Sequence, residues 1–263
     1  MVGNKGGVVM KGVILAAGDG TRLDPLTRHV PKPLVAVAGH PMMTYGLHAL
    51  IEAGVTELII VVGHLGDQIQ RALGSTHYRG ACLTYVESPD RHDGNGLSLY
   101  AAREVVGEEA FILTMADHLI SPRLVKRLVA IQPTQDTLCV DRRPSPIIQL
   151  DEATQVWVDL TGWIRRIGKN LRRWNGVDTG VFWLTPAIFE AVEALRAVGV
   201  SAPTLTQACR WLIEHGRGLR ACDVSGLFWV DVDTPADLRH AERVLRARSR
   251  PLLPLSLYGE AQL

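Results

Sequence analysis

Residues 13–16, Val-Ile-Leu-Ala, form an uncharged run that breaks into Ala17-Gly-Asp-Gly-Thr-Arg22. A short apolar run ending in glycine reads as a buried strand that feeds a turn. That order recurs through the first half of the chain. Residues 57–62, 83–87 and 111–115 read as further strands, and 42–53, 67–73, 95–106 and 122–131 as helices. Met43, Leu47 and Leu50 share one face of the first helix, and Pro122 suits the first turn of the last. Strands alternating with helices predict an α/β protein, a three-layer sandwich around a mixed, mostly parallel sheet. Ligands on such sheets sit beyond the carboxyl ends of the strands, where Gly18 and Asp117 fall.

The second half is less regular. Residues 138–140, 156–160, 181–184 and 228–232 read as strands, and 187–197 and 205–214 as helices. Thr234-Pro-Ala-Asp237 opens the last helix: a capping hydroxyl, a proline at the first position and an acid in the first turn. Leu238, Ala241 and Leu245 give that helix a buried side. No repeat or linker divides the chain, so one domain over 1–250 with a tail over 251–263 is expected. At 263 residues and 47% hydrophobic content, such a domain can bury a large core.

The formal net charge of +1 gives no general affinity for polyanions. Arg239, Arg243, Arg246, Arg248 and Arg250 crowd the last helix and its exit and read as a solvated face. The aromatic interleaving that nucleic acid would want is absent. Cys82, Cys139, Cys209 and Cys222 lack metal-ligand spacing and read as reduced packing groups. No apolar run is long enough to span a bilayer, and no signal peptide opens the chain, so a cytoplasmic protein is expected.

The chemistry concentrates at a few points. Gly18 and Gly20 let the backbone approach a ligand closely, and successive N–H groups in such a turn surround phosphate oxygens. Arg22 can hold two oxygens at once. Lys32, stiffened by Pro31 and Pro33, presents an ammonium to a phosphoryl group whose charge grows in the transition state. Leu23 occupies the third glycine position of the dinucleotide fingerprint, and no Gly-Lys-Ser/Thr follows, so neither that motif nor a P-loop is present. Asp117 follows one apolar strand, and Asp231 and Asp233 follow another. Carboxylates from two strands suit one Mg²⁺ bridging substrate phosphates; Asp231 and Asp233 share a strand face, so one of the two can stand behind the other. His118 reads as a neighbour of that site. Gly94-Asn-Gly96 offers helix-start N–H groups and room for a flat base. Lys169 suits a second phosphate, and Asp178 and Thr179 suit the hydroxyls of a polyol.

Leu15-Ala-Ala-Gly-Asp-Gly-Thr-Arg-Leu23 with Pro31-Lys-Pro33 resembles the nucleotidyltransferases that activate sugar phosphates and related alcohol phosphates. Gly94-Asn-Gly-Leu-Ser-Leu99, Phe111-Ile-Leu-Thr-Met-Ala-Asp-His118, Ile167-Gly-Lys-Asn-Leu171, Val177-Asp-Thr-Gly180 and Trp229-Val-Asp-Val-Asp-Thr234 look closest to the CTP:inositol-1-phosphate cytidylyltransferases. The spacer 24–30 looks more like the sugar-phosphate enzymes. The resemblance implies a nucleotide-diphospho-sugar transferase-like fold and CMP transfer from CTP to inositol 1-phosphate. It implies a nucleotide held by Leu15, Ala16, Ala17, Gly18, Gly20, Thr21, Gly94, Asn95, Gly96 and Ser98. By the same resemblance, Arg22 binds the departing pyrophosphate and Lys32 the α-phosphate. Asp117 and Asp233 hold Mg²⁺, Lys169 meets the acceptor phosphate, and Asp178 or Thr179 the ring hydroxyls. Several relatives fuse this domain to a membrane-embedded phosphatidyltransferase, so a separate membrane enzyme is expected to take the product. A sugar 1-phosphate or phosphocholine is an alternative acceptor. Trp157, Trp163, Trp174, Phe182 and Trp183 are candidates for an aromatic cage around choline. A glycosyltransferase using Asp231-Val-Asp233 would not need Arg22 and Lys32. A nucleotide-sensing subunit on a degenerate copy of the fold would tend to lose these charged residues.

Overall fold

The computed structural model describes residues 10–88, 94–144, 152–248 and 252–253. The first half forms β1 (Lys11–Ala16), β2 (Ala36–Val37), β3 (His40–Pro41), α1 (Met43–Glu52), β4 (Glu57–Val62) and α2 (Gly66–Leu73). It continues with β5 (His77–Tyr78), β6 (Ala81–Glu87), α3 (Asn95–Ala101), α4 (Arg103–Val106), β7 (Phe111–Met115), β8 (His118–Ile120) and α5 (Pro122–Ala130). The second half forms β9 (Thr137–Asp141), β10 (Gln155–Val158), β11 (Ile164–Gly168), β12 (Gly176–Leu184), α6 (Ala187–Ala197) and α7 (Leu205–Glu214). It closes with β13 (Arg220–Asp223), β14 (Trp229–Asp231) and α8 (Pro235–Arg246).

The main sheet runs β11-β10-β12-β7-β1-β4-β6-β5, and β9 and β13 branch from β12. Its centre, β7-β1-β4-β6, is parallel and in unbroken register, with Leu15 between Met115 and Val61. Antiparallel pairs flank it on both sides, β12 on β7 and β5 on β6, so the sheet is mixed as expected.

Strand β1 has no polar alternation because both of its faces are covered. Val13 and Leu15 pack under α3, α6 and α7 with Leu99, Phe189 and Leu212. Ile14 and Ala16 pack on the other side under α1, α2 and α5 with Leu47, Ile69 and Leu124. These are the three layers. A third apolar cluster ties Leu23, Val35 and Tyr45 to Val232, Ala241 and Leu253. It fastens the loop after β1 to α8.

The single helix expected over 95–106 divides at Ala102, whose N–H donates to the Leu99 carbonyl in a tighter turn. Arg250 and the expected tail, apart from Leu252 and Leu253, lie outside the described residues. Among those described, no helix is long and apolar enough to cross a membrane.

Helix α8 begins with the predicted cap. Thr234 Oγ1 accepts from the Asp237 N–H, and Asp237 Oδ2 accepts from the Thr234 N–H at 2.7 Å. The same oxygen takes the Asp233 N–H at 3.2 Å, so the cap also orients the residue before the helix. Thr234→Ala should cost about 1 kcal/mol in urea denaturation. An unchanged midpoint would show the cap to be idle.

Candidate active site

The loop after β1 is shaped by Gly20. Its φ is +66°, and a Cβ there would lie 2.6 Å from Lys32 Cβ. Glycine therefore serves both the left-handed turn and the approach of Lys32. Thr27 Oγ1 donates to the Gly20 carbonyl at 2.9 Å and closes the loop. Two tight turns follow, Thr21–Leu23 and Lys32–Leu34, the second starting after extended Pro31.

These turns aim the two cations at one point. Lys32 is 8% exposed. Its Nζ donates to Asp117 Oδ2 at 2.7 Å and to Asp233 Oδ1 at 2.6 Å. Arg22 reaches Asp233 Oδ2 at 2.8 Å and Glu152 Oε2 at 3.4 Å, and stays largely exposed. Asp117 follows β7, and Asp233 follows β14. The Val232 N–H donates to the Asp117 carbonyl at 3.1 Å and joins the two strand ends.

Burial alone would depress the Lys32 ammonium. The charges of Asp117 and Asp233, with their hydrogen bonds, outweigh it and hold Lys32 above the ordinary lysine value. Burial likewise pushes against ionisation of Asp117, but Lys32 and His118 keep it below the usual carboxylate range. Asp231 is the opposite case. Burial, with the charges of Asp117 and Asp233, raises it despite His118. Its Oδ1 is buried without a hydrogen-bond partner among the described residues, although the side chain as a whole is 40% exposed.

His118 is more central than a neighbour. Its Nε2 lies 3.6 Å from Asp231 and 3.8 Å from Asp117, and its Nδ1 bonds the Thr179 carbonyl at 2.9 Å. Burial opposes its protonation, yet the two carboxylates raise its pKa. The imidazole lies against Gly180, where φ is +74° and a Cβ would meet Nδ1 at 2.1 Å.

A cleft of about 490 Å³ opens beside this cluster, and Arg22, Asn95, His118, Lys169, Asp178 and Asp233 line it. Burial pushes the Asp178 carboxyl up to about 6, against the Gly180 N–H and the His118 charge. Thr179 does not share this exposure, contrary to the sequence expectation. Its side chain is fully buried, and its hydroxyl donates to the Cys139 carbonyl at 2.9 Å. Only its main chain serves the site, through His118.

Gly94 and Gly96 also differ from expectation. The space where each would carry a Cβ is filled by carbonyl oxygens of Ala202 and Pro203, at 2.5–2.8 Å. These glycines allow α3 to pack on the start of α7, and the Gly96 N–H is taken by Pro203. Asn95 is the member of the trio that reaches the cleft, with its Oδ1 holding the Leu205 N–H. Ser98 is buried, 3.0 Å from Ser88 Oγ. Leu15, Ala16 and Ala17 are buried, Thr21 is exposed, and the Cβ side of Gly18 is open.

Asp141 and Arg143 were not anticipated. Asp141 ends β9 and accepts from Trp229 Nε1 at 3.0 Å and from the Arg143 N–H at 2.9 Å, and both residues line the cleft. A carboxylate directly after an apolar strand was the available signal, as at Asp117.

Residues 11–145 match the family model described as nucleotidyl transferase. The chain is 37% identical to the bifunctional IPC transferase and DIPP synthase of Rubrobacter xylanophilus, over 88% of this chain and 51% of that protein. It thus spans about half the length of that relative. It is 30% identical to glucose-1-phosphate thymidylyltransferase of Streptomyces griseus, over 92% of this chain and 68% of the other. The inositol-1-phosphate CTP transferase from T. maritima superimposes with a TM-score of 0.77 at 25% identity, covering 93% of this chain and 99% of that one.

Proposed function

Since the chain belongs to the nucleotidyl transferase family, we propose that it transfers CMP from CTP to inositol 1-phosphate, giving CDP-inositol and pyrophosphate. The observation that carries this reading is the meeting of Lys32, Arg22, Asp117 and Asp233 at one edge of a cleft that also holds Lys169 and Asp178. Two anionic substrates would need such a divided set of cations. The likeness to the T. maritima enzyme supports CTP and inositol 1-phosphate as the pair.

A phosphate oxygen of the acceptor attacks the α-phosphorus of CTP in line, and the bond to the β-phosphate oxygen breaks. The nucleophile is already ionised, so no general base is required. Lys32 neutralises the α-phosphoryl oxygens, Arg22 holds the departing pyrophosphate, and Lys169 holds the acceptor phosphate. Asp178 accepts from ring hydroxyls. The backbone from Leu15 to Thr21, with Asn95 and the α3 start, cradles the nucleotide. Asp117 and Asp233 are read as ligands of a hard divalent cation. The support is the grouping of Asp117, His118 and Asp231, whose ligand atoms lie within 4.8 Å of one another. The oxygens that Asp117 and Asp233 turn to Lys32 Nζ would come free as the ammonium moves to the phosphates. When bound, Mg²⁺ would neutralise phosphate charge and orient the leaving group.

The catalytic unit is read as the single domain 1–250, working in the cytoplasm and passing its product to a separate membrane phosphatidyltransferase. A sugar 1-phosphate is the second reading, favoured by the Streptomyces relative. Phosphocholine has less support: none of Trp157, Trp163, Trp174, Phe182 and Trp183 lines the cleft, and of the aromatic residues that do, Phe228 is covered by Arg248 and Trp229 is buried with its Nε1 donating to Asp141.

Pyrophosphate release should be measured with CTP, UTP and dTTP against inositol 1-phosphate, glucose 1-phosphate and phosphocholine, with and without Mg²⁺. The expected outcome is Mg²⁺-dependent turnover with CTP and inositol 1-phosphate. Turnover confined to a sugar phosphate would overturn the acceptor. No turnover with any pair would favour a nucleotide-sensing role.

A further inference from the structure

Helix α8 has three sides. Leu238, Ala241 and Leu245 face the third apolar cluster, and Asp237, His240 and Val244 line the cleft. Arg239, Arg243 and Arg246 recur at a spacing of four and three residues, which aligns them in one exposed stripe. Arg248 continues it, 4.7 Å over the ring of Phe228. Arg123 of α5 is close enough that, after burial, its charge is what lowers the Arg248 guanidinium. None of these five arginines has an ion-pair partner among the described residues. The nearby acids are engaged: Asp237 in the helix cap, and Glu242 with the Ala38 N–H at 3.4 Å. A chain of net charge +1 has therefore set five arginines without ion-pair partners on one side.

Next to the stripe is a hollow of about 370 Å³. Leu245 and Leu252 line it over the buried Tyr45 and Leu253, and Glu242, Arg246 and Arg248 line it as well. Beyond it the sequence Pro251-Leu-Leu-Pro-Leu-Ser-Leu-Tyr258 carries no charge.

We infer that this side of the protein docks on an anionic phospholipid bilayer, with the arginines on headgroup phosphates. A line of arginines without ion-pair partners is what a negatively charged membrane surface attracts. Single-stranded nucleic acid would meet the same charges, but would want exposed rings for stacking; Phe228 is covered by Arg248 and Tyr45 is buried. The inference is independent of which acceptor the cleft takes. Because the cleft-lining side of α8 adjoins the stripe, docking would bring the mouth of the cleft near the bilayer.

The full chain should be sedimented with vesicles of phosphatidylcholine alone and of phosphatidylcholine mixed with phosphatidylglycerol. Binding is expected only to the anionic vesicles and should weaken with added salt. The triple variant Arg239→Gln, Arg243→Gln, Arg246→Gln should lower the partition coefficient on the order of a hundredfold. Its pyrophosphate release in solution should be unchanged, which separates this surface from the catalytic reading. Equal binding to both vesicle types would overturn the inference. So would wild-type binding by the variant, or tighter binding to duplex DNA or RNA than to anionic vesicles.

Discussion

A Lys32→Ala protein is expected to release pyrophosphate on the order of a hundredfold or more slowly than the wild type, and to remain folded. The size follows from where the ammonium sits. It is nearly enclosed, held by two carboxylates at 2.6 and 2.7 Å, and kept charged by them. A fixed charge in such a place is worth far more to a developing phosphoryl charge than one in water. The fold should tolerate the loss at about 1–3 kcal/mol, because Asp117 and Asp233 keep partial access to water and can be resolvated. Single-turnover rates with saturating CTP, alongside circular dichroism, would measure both. Near-normal turnover by a folded variant would remove Lys32 from the reaction.

Gly180→Ala should be the most damaging single methyl group in the second half of the chain. The new Cβ would fall 2.1 Å from His118 Nδ1 while the backbone stays at a φ of +74°. The left-handed strain and the overpacking together should cost about 2–4 kcal/mol. Displacing the imidazole also breaks its bond to the Thr179 carbonyl and moves it from Asp117 and Asp231. A double-mutant cycle isolates the contact. His118→Ala combined with Gly180→Ala should recover the overpacking part and leave the backbone strain. If Gly180→Ala unfolds at the wild-type urea concentration, the close packing of this pair is wrong.

The frame was legible where burial is two-sided. Strands β1, β4 and β7 are mainly apolar, broken only by Lys11, Glu57 and Thr114, and their observed ends lie within two residues of the expected ones. Strands β8, β11 and β13 were not legible. They are three to five residues long, and Arg165 and Arg166 interrupt β11. Their pairing is decided by distant partners, as β13 on β9. The carboxylates could be picked out because each ends an apolar strand. That Lys32 lies between two of them could not, since the pairs span 85 and 201 residues. Thr179 was misplaced because adjacent residues were assumed to face the same ligand. Strand β12 is irregular between Asp178 and Phe182, and it turns Thr179 inward while Asp178 faces out.

Strand β12 has one more consequence. At one end it pairs with β7, whose continuation is Asp117, and at the other it carries Asp178 and pairs with β10. The two walls of the cleft are therefore joined along one strand whose ladder lapses over residues 179–181, where Gly180 takes a φ of +74°. Hinge bending needs a few residues that absorb rotation, and these three are buried and fastened by other means: Thr179 Oγ1 donates to the Cys139 carbonyl and the Gly180 N–H to Asp178 Oδ1. Any rotation of one wall against the other must first break those two bonds.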